Sequence, residues 1–112
     1  MLRLPTIIEE QDAMAKKSLA PIHPGEILRE EFLAPLSMTP YALAAELRVP
    51  RTRVERLVRE ETAITPDTAL RLARYFGTTP EFWLAIQARY DLGMVREELD
   101  ADIEAIKPRK IA

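Results

Sequence analysis

The chain has 112 residues, 47% of them hydrophobic and 30% charged, with no cysteine. That length suits one compact domain with short appendages, and the missing thiols exclude a disulfide framework, a thiolate metal site and a cysteine nucleophile. No apolar run approaches bilayer length, so a cytoplasmic, membrane-free protein is expected, and its formal charge of −2 excludes a uniformly basic polyanion binder.

In chain order, residues 1–22 show no sustained periodicity and carry Pro5, Lys16, Lys17 and Pro21. They read as an arm, with a short helix expected near Ile8–Met14 and Met14 a candidate alternative start. From His23 the pattern turns helical. Pro24 in a first turn precedes the stripe Ile27, Leu28, Phe32 and Leu33, with Arg29 and Glu30 opposite and Pro35 as the stop. Thr39-Pro40 starts a second helix to about Leu47, because threonine caps well and proline is tolerated at the first helical position. Val49-Pro50 starts a third to about Val58. Ile64-Thr65-Pro66-Asp67 repeats the signal before a fourth helix from Thr68, closed at Phe76-Gly77 by a glycine suited to the left-handed cap. Thr79-Pro80-Glu81 opens a fifth helix to about Tyr90. After Gly93 a separate last helix is expected, with Val95, Leu99, Ile103 and Ile106 at helical intervals and Pro108 as its end. Nothing alternates with period two long enough to argue a strand, so the class is all-α. The expected organisation is an arm over 1–22, a domain over 23–92, and an acidic helix and tail over 93–112.

The second and third helices carry the informative constellation. Leu43, Ala44 and Leu47 form an inner face, and Ala44 is small enough for close helix approach. Val54, Leu57 and Val58, at i, i+3 and i+4, point inward from the third helix. The short link Arg48-Val49-Pro50 between them is what a DNA-binding bihelix needs. With those positions buried, Arg51, Thr52, Glu55, Arg56 and Arg59 must form an outward stripe. Arginine can pair bidentately with guanine, glutamate accepts from cytosine, and the threonine methyl touches thymine. Arg53 and Arg59 are expected on phosphates, as are Thr39 and Tyr41 at the start of the second helix. One such helix reads half a site, so a homodimer on double-stranded DNA is expected. An arginine-rich face alone would more often be merely solvated; the bihelix beneath it turns the reading towards DNA.

The charge map agrees. Residues 91–106 hold Asp91, Glu97, Glu98, Asp100, Asp102 and Glu104 against Arg96, a balance of −5, which leaves +3 on the rest. Residues 48–61 set five arginines against three glutamates. The modest positive charge therefore lies where a nucleic-acid surface needs it. The acidic last segment has three readings: a dock for a basic partner, an extension of the dimer, or a solubilising face. Phe82, Trp83, Ile86 and Tyr90 are bulkier than one short helix needs, and either core packing or a dimer interface would use them. His23 with Glu26 resembles a metal or base pair, but no second histidine or cysteine completes a site, and the following Pro-Gly suits a helix entry. With no nucleophile, base or metal set assembled, no enzyme, metal or cofactor is expected.

The segments His23-Pro24-Gly25-Glu26-Ile27-Leu28, Ala44-Ala45-Glu46-Leu47, Ile64-Thr65-Pro66, Ala69-Leu70-Arg71-Leu72-Ala73 and Phe82-Trp83-Leu84, with Gln87 and Tyr90-Asp91, resemble the HigA antitoxin branch of the lambda-repressor-like (XRE) helix-turn-helix family, also described as plasmid-maintenance antidote proteins. The resemblance covers about residues 23–92. It implies a five-helix domain, here with an additional C-terminal helix, and a role in a type II toxin–antitoxin pair. The family member blocks a HigB-like toxin, an mRNA endoribonuclease of the RelE-like class, and represses its own operon as a dimer. A free-standing transcriptional repressor is the alternative. Two positions depart from the family: Arg48 stands where glycine is usual, and Arg59-Glu60-Glu61 replaces an asparagine–glycine–basic turn, placing two acids where they would repel a phosphate backbone.

Overall fold

In the computed structural model, which describes residues 20–111, the helix starts follow the threonine–proline pairs. The expected helix near Ile8–Met14 and the alternative start at Met14 lie outside the described residues. Thr39, Thr65 and Thr79 each sit in extended backbone, and each hydroxyl accepts from the amide three residues on, at 3.0 Å from Ala42, 3.4 Å from Thr68 and 3.1 Å from Phe82. Each satisfies a donor that the first turn leaves unpaired.

Helix α1 opens as an α-turn over Pro24–Ile27 and continues π-wound over Leu28–Leu33. Helix α2 spans Pro40–Leu47, α3 Arg51–Val58, α4 Pro66–Phe76 and α5 Pro80–Glu104. Among the described residues there is no strand, and no helix is long and apolar enough to cross a membrane. Gly77, at φ 73°, closes α4 in the left-handed conformation that glycine adopts without penalty.

The core joins Leu28, Leu43, Val54, Leu57, Leu72 and Trp83, one or more from every helix. Fully burying side chains of this size contributes about 1.5–3 kcal/mol each. Phe32 stacks against Phe76 and Trp83 at ring-centroid distances of 4.8 and 5.1 Å. Gly25 lets α1 lie directly on α3, since a Cβ there would collide with the Leu57 carbonyl. His23 caps α1: its Nδ1 accepts from the Gly25 amide at 2.8 Å, so the Pro-Gly entry is structural.

The break expected at Gly93 is absent. A single helix of 25 residues replaces the fifth helix and the separate last one. One glycine costs a helix only about 1 kcal/mol. Here its missing side chain serves packing, because a Cβ at Gly93 would lie 2.8 Å from the Pro21 ring. The segment entering α1 thus crosses α5 at that point.

Candidate nucleic-acid interface

The candidate reading surface is made by what α3 buries. Val54, Leu57 and Val58 face the core, while Arg51, Thr52, Arg53, Arg56 and Arg59 are exposed and Glu55 half-buried. Leu43, Ala44 and Leu47 of α2 are buried against them. The link turns tightly because Arg48 adopts a left-handed conformation, with φ 59° and ψ 46°, and the Val49 amide returns to the Ala44 carbonyl at 3.0 Å. Helices α2 and α3 then meet as a helix-turn-helix, with Thr39 and the exposed Tyr41 at the start of α2.

Within the stripe, Arg51 Nε pairs with Glu55 Oε1 at 3.1 Å, one turn along α3. The glutamate therefore orients an arginine as well as offering an acceptor. Arg53 points elsewhere: its guanidinium meets Asp67 Oδ1 of α4 at 2.7 Å. The same oxygen receives Arg71 Nε at 2.8 Å, and Arg71 also donates to the Leu47 carbonyl at 2.8 Å. Arg71, with Arg53 adding to it, holds the Asp67 carboxyl below its ordinary pKa. This network fastens the end of α2, the start of α3 and α4 together beside the exposed stripe. Asp67 reads in the sequence as part of a helix start and Arg71 as part of a family-like segment, and neither signal, nor their i, i+4 spacing, points to Arg53.

The aromatic set divides. Trp83 is wholly inside the protomer, its Nε1 donating to Thr78 Oγ1 at 2.8 Å, so core packing accounts for it. Tyr90 meets the His23 ring edge-on at 4.8 Å, and Ile86 lines a groove with Ile22, Ile27 and Gly93. Phe82 packs on Trp83 yet remains 40% exposed.

A family model described as helix-turn-helix matches residues 28–83. Antitoxin HigA-1 of Vibrio cholerae is 38% identical, covering 85% of this chain and 90% of the relative. The Pseudomonas aeruginosa antitoxin HigA, solved with the higBA promoter, is 43% identical and superposes with a TM-score of 0.75, covering 80% of this chain and 99% of that one. The chain belongs to the HigA-type branch of the helix-turn-helix family. Virulence-associated protein I of Dichelobacter nodosus is 49% identical over 74% of this chain and 77% of its own length.

Both departures from the HigA-type pattern fall on left-handed backbone. Arg48 takes the conformation for which glycine is usual, and Glu60 does the same at φ 63° after α3. Glu60 is not a free acid beside the reading face. Arg29 of α1 pairs with it at 3.3 Å and also donates to the Val58 carbonyl in the last turn of α3. The hydrogen bond to Glu30 first, then the contacts with Glu60, raise the Arg29 pKa above its ordinary value. A guanidinium at a helix C-terminus complements the carbonyl dipoles there. The expected repulsion by two acids is thus reduced to the exposed Glu61 and whatever charge Arg29 leaves on Glu60.

Proposed function

We propose that this protein is a homodimeric, operator-binding autorepressor and the antitoxin of a type II pair, neutralising a RelE-like mRNA endoribonuclease. The carrying observation is the exposed face of Arg51, Thr52, Glu55, Arg56 and Arg59 on a helix held by buried Val54, Leu57 and Val58. The relative solved with its promoter supports the DNA half. Arg51 and Arg56 read base edges, while Arg59, Thr39 and Tyr41 hold phosphates. Arg53 reaches a phosphate only by exchanging Asp67 for it. Phe82 is the member of the aromatic set whose exposed edge is available to a second protomer.

Mobility shift on the DNA upstream of the chain's own coding sequence tests the first half. The parent is expected to shift it, and joint replacement of Arg51, Arg56 and Arg59 by alanine to abolish the shift. An unchanged shift would sink the assigned surface. For the second half, the neighbouring open reading frame is induced with and without this chain. Growth arrest relieved by the chain supports the antitoxin reading. Promoter binding with no such neighbour, or with no relief of arrest, makes the protein a stand-alone repressor.

A further inference from the structure

Apolar burial of Val54, Leu57 and Val58 holds α3 against the core without giving it a direction, because the hydrophobic effect is not directional. At eight residues α3 is about 12 Å long, so a tilt of about 10° carries its far end about 2 Å, whereas a hydrogen bond to a base edge holds only within about 0.5 Å. Directional contacts at the two ends of the helix have to set that tilt.

The start of α3 is held by Arg53 on Asp67, in the network that Arg71 ties to the Leu47 carbonyl. Its end is held from α1. The turn after α3 closes on the helix's own carbonyls: the amides of Arg59, Glu61 and Glu60 donate to the carbonyls of Glu55, Arg56 and Leu57 at 3.2, 2.9 and 2.9 Å. The carbonyl of Val58, the last residue of α3, accepts instead from Arg29 Nη1. The other two nitrogens of that guanidinium are used as well, Nη2 on Glu60 Oε2 at 3.3 Å and Nε on Glu30 Oε1 at 3.0 Å. One turn back on α1, Gly25 lies against the Leu57 carbonyl. Helix α1 thus meets two successive carbonyls of α3, once with backbone and once with a charged donor. The side chains of Arg29 and Glu60 are 39% and 38% exposed, and ion pairs so placed add little to stability. What the planar fork supplies is orientation.

We propose that Arg29 is a positioning residue for operator reading: from α1 it fixes the tilt of α3, and with it where Arg51, Thr52 and Arg56 meet base edges. Breaking the fork then lowers selectivity for the operator and leaves general attraction to DNA in place. The proposal rests on the DNA reading above and adds to it a residue outside the helix-turn-helix. It also gives the acid on left-handed backbone at Glu60 a use, as the third acceptor of the fork.

Arg29→Lys keeps the charge and breaks the fork. In the full-length chain, with a denaturant midpoint close to the parent's, it is expected to lower affinity for the DNA upstream of the coding sequence about tenfold, and for a random-sequence duplex less than about twofold. Residual dipolar couplings of the α3 amides, referred to the frame of α4, are expected to report a changed orientation. Arg29→Met, which keeps the stem and loses every donor, should show the same change. Glu60→Gln keeps an acceptor for the fork and removes a charge, so both affinities should rise together and their ratio stay the parent's. A parental operator-to-random ratio in Arg29→Lys would overturn the proposal, as would parental couplings in both Arg29 variants. So would equal losses on the two DNAs, which mark a loss of charge or of folded protein. If the parent shows no preference for that operator, the DNA reading falls, while the couplings still decide whether Arg29 orients α3. A parent that binds operator, beside Arg29 variants whose α3 has not moved, sinks the clamp alone.

Discussion

Arg53 and Arg56 stand one turn apart on α3 and carry the same charge, yet their surroundings assign them different work. Arg56 is exposed, on the stripe that a major groove would meet, whereas Arg53 is bound to Asp67 at 2.7 Å. Replacing Arg56 by alanine is therefore expected to cost operator binding about 1–3 kcal/mol in a titration, with dimerisation intact. Arg53→Ala should cost less, because Asp67 already competes with phosphate for its guanidinium and an exposed ion pair contributes little. Asp67→Asn separates the two roles: it frees Arg53, and the dependence of log affinity on log salt should steepen by about one phosphate contact. The same carboxylate gives a pH signature. Because its folded pKa is depressed, its contribution to stability is present above the ordinary aspartate value and lost as pH falls through the folded one. Carbon-detected titration should place the Asp67 midpoint below the ordinary aspartate value, and a midpoint at or above that value would contradict the network.

At the scale of elements, the link between α2 and α3 shows what a sequence can and cannot disclose. Its brevity, its flanking apolar positions and the Thr-Pro starts were readable, since capping and i, i+3, i+4 burial are local properties. The reading stripe followed from the same periodicity. What was not readable depends on residues distant in the chain. Asp67 lies 14 positions from Arg53, and Arg29 reaches Val58 across 29. Gly93 misled for a different reason: glycine marks both helix ends and places where another segment must come close, and only Pro21 lying on it decides between them. The left-handed Arg48 gives this scale its own test. Glycine there removes a side-chain strain of about 1 kcal/mol without touching the carbonyls that Arg71 holds. Arg48→Gly is expected to raise the denaturant midpoint with an unchanged slope, and a lowered midpoint would mean that the arginine side chain itself stabilises the turn.

For the whole molecule, the question is how two reading helices become one reader. On the proposed dimeric reading a single α3 covers half a site, and each protomer carries few free cations on that face, so tight binding would come from two half-sites engaged together. If the protomers were joined by a yielding contact, they would adapt to half-sites moved apart. A rigid contact between the protomers would not yield in that way. It would fix both the distance and the rotational phase between the two α3 helices. The operator should then be an inverted repeat with half-sites about one helical turn apart. Inserting about 5 base pairs between them turns one half-site to the opposite face of the duplex, and inserting about 10 restores the phase but lengthens the span by a full turn. Both insertions are expected to reduce binding to the level of an isolated half-site. Recovery at the longer insertion would mean that the protomers swing and do not form one rigid body.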